Sequence, residues 1–94
     1  MRLLSEEVNL LKTKLSLLSH DAKLYLFGSR VDDTKKGGDI DLLVVSDKLH
    51  KKDLRFLRIE FFKVFGEQKL DIVLDNGKFT NPFNKLIFKK AILL

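Results

Sequence analysis

The stretch FGSRVDDTKKGGDIDLLVV, Phe27 to Val45, decides how this chain is read. An apolar run ends in Gly28-Ser29, a polar loop follows, and Asp39-Ile40-Asp41 opens a second apolar run. Both flanks read as strands: residues 22–28 are short, apolar and stopped by glycine, and residues 39–45 read DIDLLVV. The near-continuous apolar character of the second predicts a strand covered on both faces. Side chains two positions apart on a strand face the same way, so Asp39 and Asp41 share a face and Ile40 takes the other. The two carboxylates then stand about 7 Å apart along the strand. Two unpaired like charges at a strand's start are costly unless a cation lies between them. Hard oxygen ligands suit Mg²⁺, which takes one or two carboxylates together with phosphate oxygens.

The rest of the chain supplies partners for this stretch. Leu4, Val8, Leu11, Leu15 and Leu18 recur at spacings of four and three, which predicts an amphipathic helix over 3–18. Residues 48–65 predict a second helix, with Asp47 as cap and Gly66 as stop. Residues 69–75, KLDIVLD, predict a third strand, and Asn76-Gly77 a turn. From Asn81 to the end, NPFNKLIFKKAILL reads as a final helix, with Asn81 as cap and Pro82 in the first helical position. The 48–65 helix is long enough to cross over between two parallel strands. About ten residues join the first two strands, which permits antiparallel pairing. The expected fold is α/β in the α+β sense: a small mixed sheet of three main strands with helices packed on it.

The third strand carries another carboxylate. Asp71 stands among Leu70 and Ile72-Val73-Leu74 and needs a partner there. With strand three beside strand two, Asp71 completes a three-carboxylate cluster able to hold two metals. A strand, then Gly28-Ser29, then a helical turn would aim backbone N–H groups and the Ser29 hydroxyl at a phosphate, with Arg30 adding charge. The competing structural readings are plain. Asp71 could pair with Lys69, and Asp39 and Asp41 could cap the strand. Lys35 and Lys36 suit a solvated loop, and the solitary His20 and His50 suit exposure.

Composition sets bounds. The 94 residues suit a single domain, 1–94, and about 45% are apolar. Cysteine is absent, which excludes disulfides and thiolate metal sites. No apolar run approaches the roughly 18 residues of a membrane span, and acidic residues arrive too early for a secretory signal, so a cytoplasmic protein is expected. Charge is uneven: residues 1–47 sum to −1 and residues 48–94 to +6. A basic half can attract nucleotide phosphates or an acidic partner protein. No stretch interleaves aromatics and basics, so direct nucleic-acid binding is not indicated. On the 48–65 helix, Leu54, Leu57, Phe61, Val64 and Phe65 form the expected core stripe. Phe56, Ile59 and Phe62 fall outside it, which leaves open a partner surface or cover by the final helix.

Gly-Ser, nine residues, Asp-hydrophobic-Asp-hydrophobic and a later strand aspartate resemble the nucleotidyltransferase superfamily of DNA polymerase β. The small size resembles its minimal nucleotidyltransferase branch (MNT), whose members often serve as antitoxins to HEPN-domain toxins. The resemblance implies transfer of a nucleoside monophosphate from an NTP, ATP by expectation, to a hydroxyl, releasing pyrophosphate. It implies Asp39, Asp41 and Asp71 as catalytic residues and ligands of two Mg²⁺ ions, with Asp71 helping to activate the acceptor. It implies Gly28, Ser29 and Arg30 as the nucleotide-phosphate contacts. A HEPN-like protein partner follows by the same resemblance, within a homo- or hetero-oligomer. The pattern departs after Arg30, where Asp32-Asp33 stand in place of a second arginine and a glycine. Two alternatives come from other classes: a catalytically weak antitoxin that neutralises a partner by contact, and a nucleotide-sensing regulatory domain.

Overall fold

The computed structural model describes residues 3–28 and 39–94. Residues 29–38, with Ser29, Arg30 and Asp32-Asp33 among them, lie outside the described residues. In chain order the elements are α1 (Ser5–Leu18), β1 (Lys23–Phe27), β2 (Ile40–Val45), α2 (Lys51–Phe65), β3 (Leu70–Asp75), α3 (Pro82–Phe88) and β4 (Ile92–Leu93). They make a sheet of order β3-β2-β1-β4. β1 runs antiparallel to β2 and to β4, and β3 runs parallel to β2 through the α2 crossover.

One face of the sheet makes the core. Leu24 and Leu26 of β1, Ile40, Leu42 and Val44 of β2, and Leu70 of β3 pack against Leu11 and Leu15 of α1 and Leu54, Leu57 and Phe61 of α2. Burying each such side chain stabilises the fold by roughly 1.5–3 kcal/mol. Glu60 joins the two helices, pairing with Lys14 at 3.2 Å and Lys63 at 2.8 Å. Leu43 points to the other face and is also fully buried, so β2 is covered on both sides as its composition predicts. On that second face Tyr25 meets Phe88 edge-on at 5.2 Å, and Phe88 meets Phe79 at 4.3 Å.

The structure revises three expectations. The final helix does not run to the end: α3 stops at Phe88, and Ile92–Leu93 pair with β1 instead. The bonds after Phe88 lengthen to 3.3–3.4 Å in three-residue turns. β1 offers an open edge, and Leu94 N–H donates to Leu24 C=O at 2.9 Å. Tertiary pairing here outweighs helix propensity, so the sheet has four strands rather than three.

The second revision concerns the start of α2. Asp47 is exposed and does not cap it; the helix begins later, where Asp53 Oδ2 accepts from His50 N–H at 2.8 Å. The third concerns its apolar stripe. Val64 is 61% exposed, whereas Phe62 and Phe65 pack on the core. Phe62 is thus covered by the core itself, Phe56 is half-buried, and Ile59 stays open. His20 and His50 are both exposed, as expected.

Candidate active site

The site is built by register. In the parallel β2–β3 pair, Asp41 stands opposite Asp71, and Ile40 opposite Leu70. Neighbouring strands lie about 4.8 Å apart, and partners in register share a face. Ile40 and Leu70 go into the core, so Asp41 and Asp71 emerge together on the other face. Asp39, two positions before Asp41, joins them by the same alternation.

Among the described residues, the charge at this end is unrelieved. Burial, the charge of Asp71 and the charge of Asp39 hold the Asp41 carboxyl above the usual carboxylate range. Among the described residues, no lysine or arginine forms an ion pair with Asp39, Asp41 or Asp71, so Lys69 does not neutralise Asp71. Among the described residues, no three His, Cys, Asp or Glu side chains converge closely enough to hold a metal as they stand. The donor set nevertheless fits a hard divalent cation: three carboxylates on one face, half-buried to exposed, with no ion-paired cation among the described residues.

Gly28 completes the arrangement. The antiparallel register sets Phe27 opposite Asp41, which brings Gly28 beside the Asp41 carboxyl. A Cβ on Gly28 would sit 3.0 Å from Asp41 Cγ and closer still to its Oδ2, and φ there is +79°. Glycine is required both by the left-handed backbone and by the carboxylate packed against it. Beside the phosphate contact that the resemblance implies, the described geometry makes Gly28 the floor under Asp41.

Residues 8–93 match the family model described as a nucleotidyltransferase domain. The chain belongs to this family. Nucleotidyl transfer is therefore the general chemistry of this nucleotidyltransferase, and the mixed sheet with the three helices of the described residues is consistent with the polymerase β-like fold. A search of curated proteins returns no match. No helix among the described residues is long and apolar enough to cross a membrane.

Sequence reasoning missed the other end of the β2–β3 pair of this nucleotidyltransferase. Asp75 is only 5% exposed. Its Oδ2 accepts from Gly77 N–H at 2.7 Å and Phe79 N–H at 3.1 Å, and its Oδ1 accepts from Asn84 Nδ2 at 3.0 Å. Asn84 also donates to Leu74 C=O, which ties α3 to β3. The tripeptide Asp75-Asn76-Gly77 carried the signal, because an aspartate two residues before a turn glycine commonly accepts the turn's N–H.

Proposed function

We propose that this nucleotidyltransferase moves a nucleoside monophosphate from an NTP, ATP in the simplest case, to a hydroxyl on a protein partner. The observation that carries the reading is the Asp41–Asp71 pairing across two parallel strands, with Asp39 alongside and Gly28 leaving room. Asp39 and Asp41 would hold Mg²⁺, with Asp71 as the third ligand. A bound divalent cation would neutralise charge on the phosphates and lower the cost of the crowded carboxylates. The Gly28 turn, Ser29 and Arg30 would receive the triphosphate. Asp71, the most exposed of the three, would take the acceptor's proton. The acceptor oxygen then bonds to the α-phosphorus as the bond to the β-phosphate oxygen breaks, and pyrophosphate departs with the electron pair. Positioning supplies much of the acceleration.

The partner in this reading is a HEPN-like toxin, with the nucleotidyltransferase as its antitoxin. The test is co-expression of the pair followed by intact mass of both chains. A gain of one or more nucleotide units on the partner, lost in Asp41→Asn, supports the reading. Stable association with no mass change in the unaltered protein would overturn it.

A second reading, neutralisation by contact alone, draws on a different observation. Phe83, Leu86 and Leu93 are 55%, 64% and 59% exposed, an unusual amount of apolar surface on one small segment. The variant Asp41→Asn separates the two readings, because contact alone would survive it.

A further inference from the structure

The outer edge of β3 is a sheet edge most of whose outward carbonyls are occupied. Ile40 N–H donates to Lys69 C=O, and Ser46 N–H donates to Asp75 C=O. The alternation of a parallel ladder then turns residues 69, 71, 73 and 75 toward β2 and residues 70, 72 and 74 outward. Two of the outward carbonyls are plugged by side chains. Arg58 Nε donates to Leu70 C=O at 3.3 Å, and Asn84 Nδ2 donates to Leu74 C=O at 3.1 Å. Between the plugs, Ile72 has no partner for its outward N–H and C=O among the described residues.

A groove of about 480 Å³ opens over this notch, between α2 and α3. Lys51, Arg55 and Arg58 line one wall, four and three residues apart on α2. Phe83 and Asn84 line the other. Among the described residues, no carboxylate lines it. Two of the chain's four arginines therefore face one groove.

We infer that this groove seats an extended acidic polypeptide segment, bridged through one residue to Ile72, which delivers the acceptor hydroxyl to Asp71. This rests on the transfer reading above and specifies its acceptor. Three features select the occupant. The cationic wall favours an acidic chain. The exposed Phe83 ring favours a segment with an apolar or aromatic side chain. The free N–H and C=O of one residue match the C=O and N–H of one peptide residue. A phosphodiester can accept from the N–H but has no donor for the C=O, so a nucleic-acid phosphate backbone fits less well. In such a bridge the paired residue shares Ile72's face, and its neighbours project to the face of Asp71. A hydroxyl on that neighbour would lose its proton to Asp71, bond through oxygen to the α-phosphorus of the NTP, and release pyrophosphate.

The test is a binding assay in metal-free, nucleotide-free buffer. One fluorescein-labelled probe is a short peptide with glutamates alternating with valines around a central tyrosine. The comparison probes are its lysine-for-glutamate counterpart and a short oligoadenylate. The acidic peptide should bind best, and the exposed-site variants Lys51→Glu and Arg55→Glu should weaken it roughly tenfold or more. Hydrogen exchange at the Ile72 amide should slow in the complex, and N-methylation of the peptide's bridging residue should abolish that protection. Equal binding of the two peptides, tighter binding of the oligoadenylate, or an unprotected Ile72 would each overturn the inference. Asp41→Asn should bind the peptide as well as the parent does. Absence of transfer by the unaltered protein, with peptide binding intact, would therefore tell against the catalytic reading alone.

Discussion

The β2–β3 pair carries an aspartate near each end of β3, and the two are treated in opposite ways. Asp75, at the C-terminal end, is buried and accepts three hydrogen bonds, from two backbone amides and from Asn84. Asp71, four residues earlier, is exposed and faces the carboxyl of Asp41 across the strands. One end is satisfied and holds α3 in place. The other is left with like charges together and one member pushed toward its neutral form. A fold with no use for the second arrangement would lose it, because replacing either carboxylate relieves the repulsion at no cost to the core. The contrast teaches where the chain is built for stability and where it gives stability up.

The sharpest way to break this contrast is Asp41→Asn. Nucleotidyl transfer, read as labelled NMP incorporated into the acceptor, should fall by about three orders of magnitude, as expected for loss of a central charged group at a reacting phosphate. The same variant should melt higher than the parent, by about 1 kcal/mol in a urea titration, because a repulsive group has gone. A variant that lost activity and stability together would show that Asp41 belongs with Asp75 as a structural residue.

Asp75→Ala tests the satisfied end. It strands two amide donors and Asn84 in a buried place, so it should cost about 2–4 kcal/mol in the same titration. Gly28→Ala should cost roughly 1–3 kcal/mol, since it combines strain at φ +79° with a collision against Asp41. It should also reduce transfer, whereas Gly66→Ala, where an added Cβ meets nothing, should leave transfer unchanged.

The smallest effect is a pH slope. The folded-state pKa of Asp41 lies above the ordinary aspartate value of 3.8, so the folded protein holds that proton more tightly than the unfolded chain. Its contribution is therefore most favourable below 3.8 and declines as pH rises through the folded value. In metal-free buffer, Asp41→Asn should remove this decline, seen as a gain in relative stability on the alkaline side of that window.

Much of this was legible in the sequence because it follows from period and spacing. The apolar run of β2 with its interruption at Asp41, and the crossover length of α2, together place Asp41 and Asp71 on neighbouring parallel strands. Asn81 capping α3 was equally readable, and its Oδ1 accepts from Phe83 and Asn84 N–H. β4 was not. Two residues have no periodicity, and Ile92–Leu93 form a strand only because β1 offers an edge in space. The late start of α2 was hidden by Ser46, whose Oγ accepts from Lys48 N–H and holds that segment in a turn. The stacking of Phe79 on Phe88 also depends on a tertiary fact, the left-handed φ of +52° that Asp75 supports at Phe79.

The register of β3 has a consequence for how such a molecule can change over generations. Leu70, sunk among the helices, and Asp71, beside Asp41, are adjacent links on the same strand. Slide that strand by a single link and the leucine would surface while the aspartate was driven inward. Misalignment of the chemistry is thus punished as misfolding, so selection for a well-packed interior also guards the geometry of the reaction.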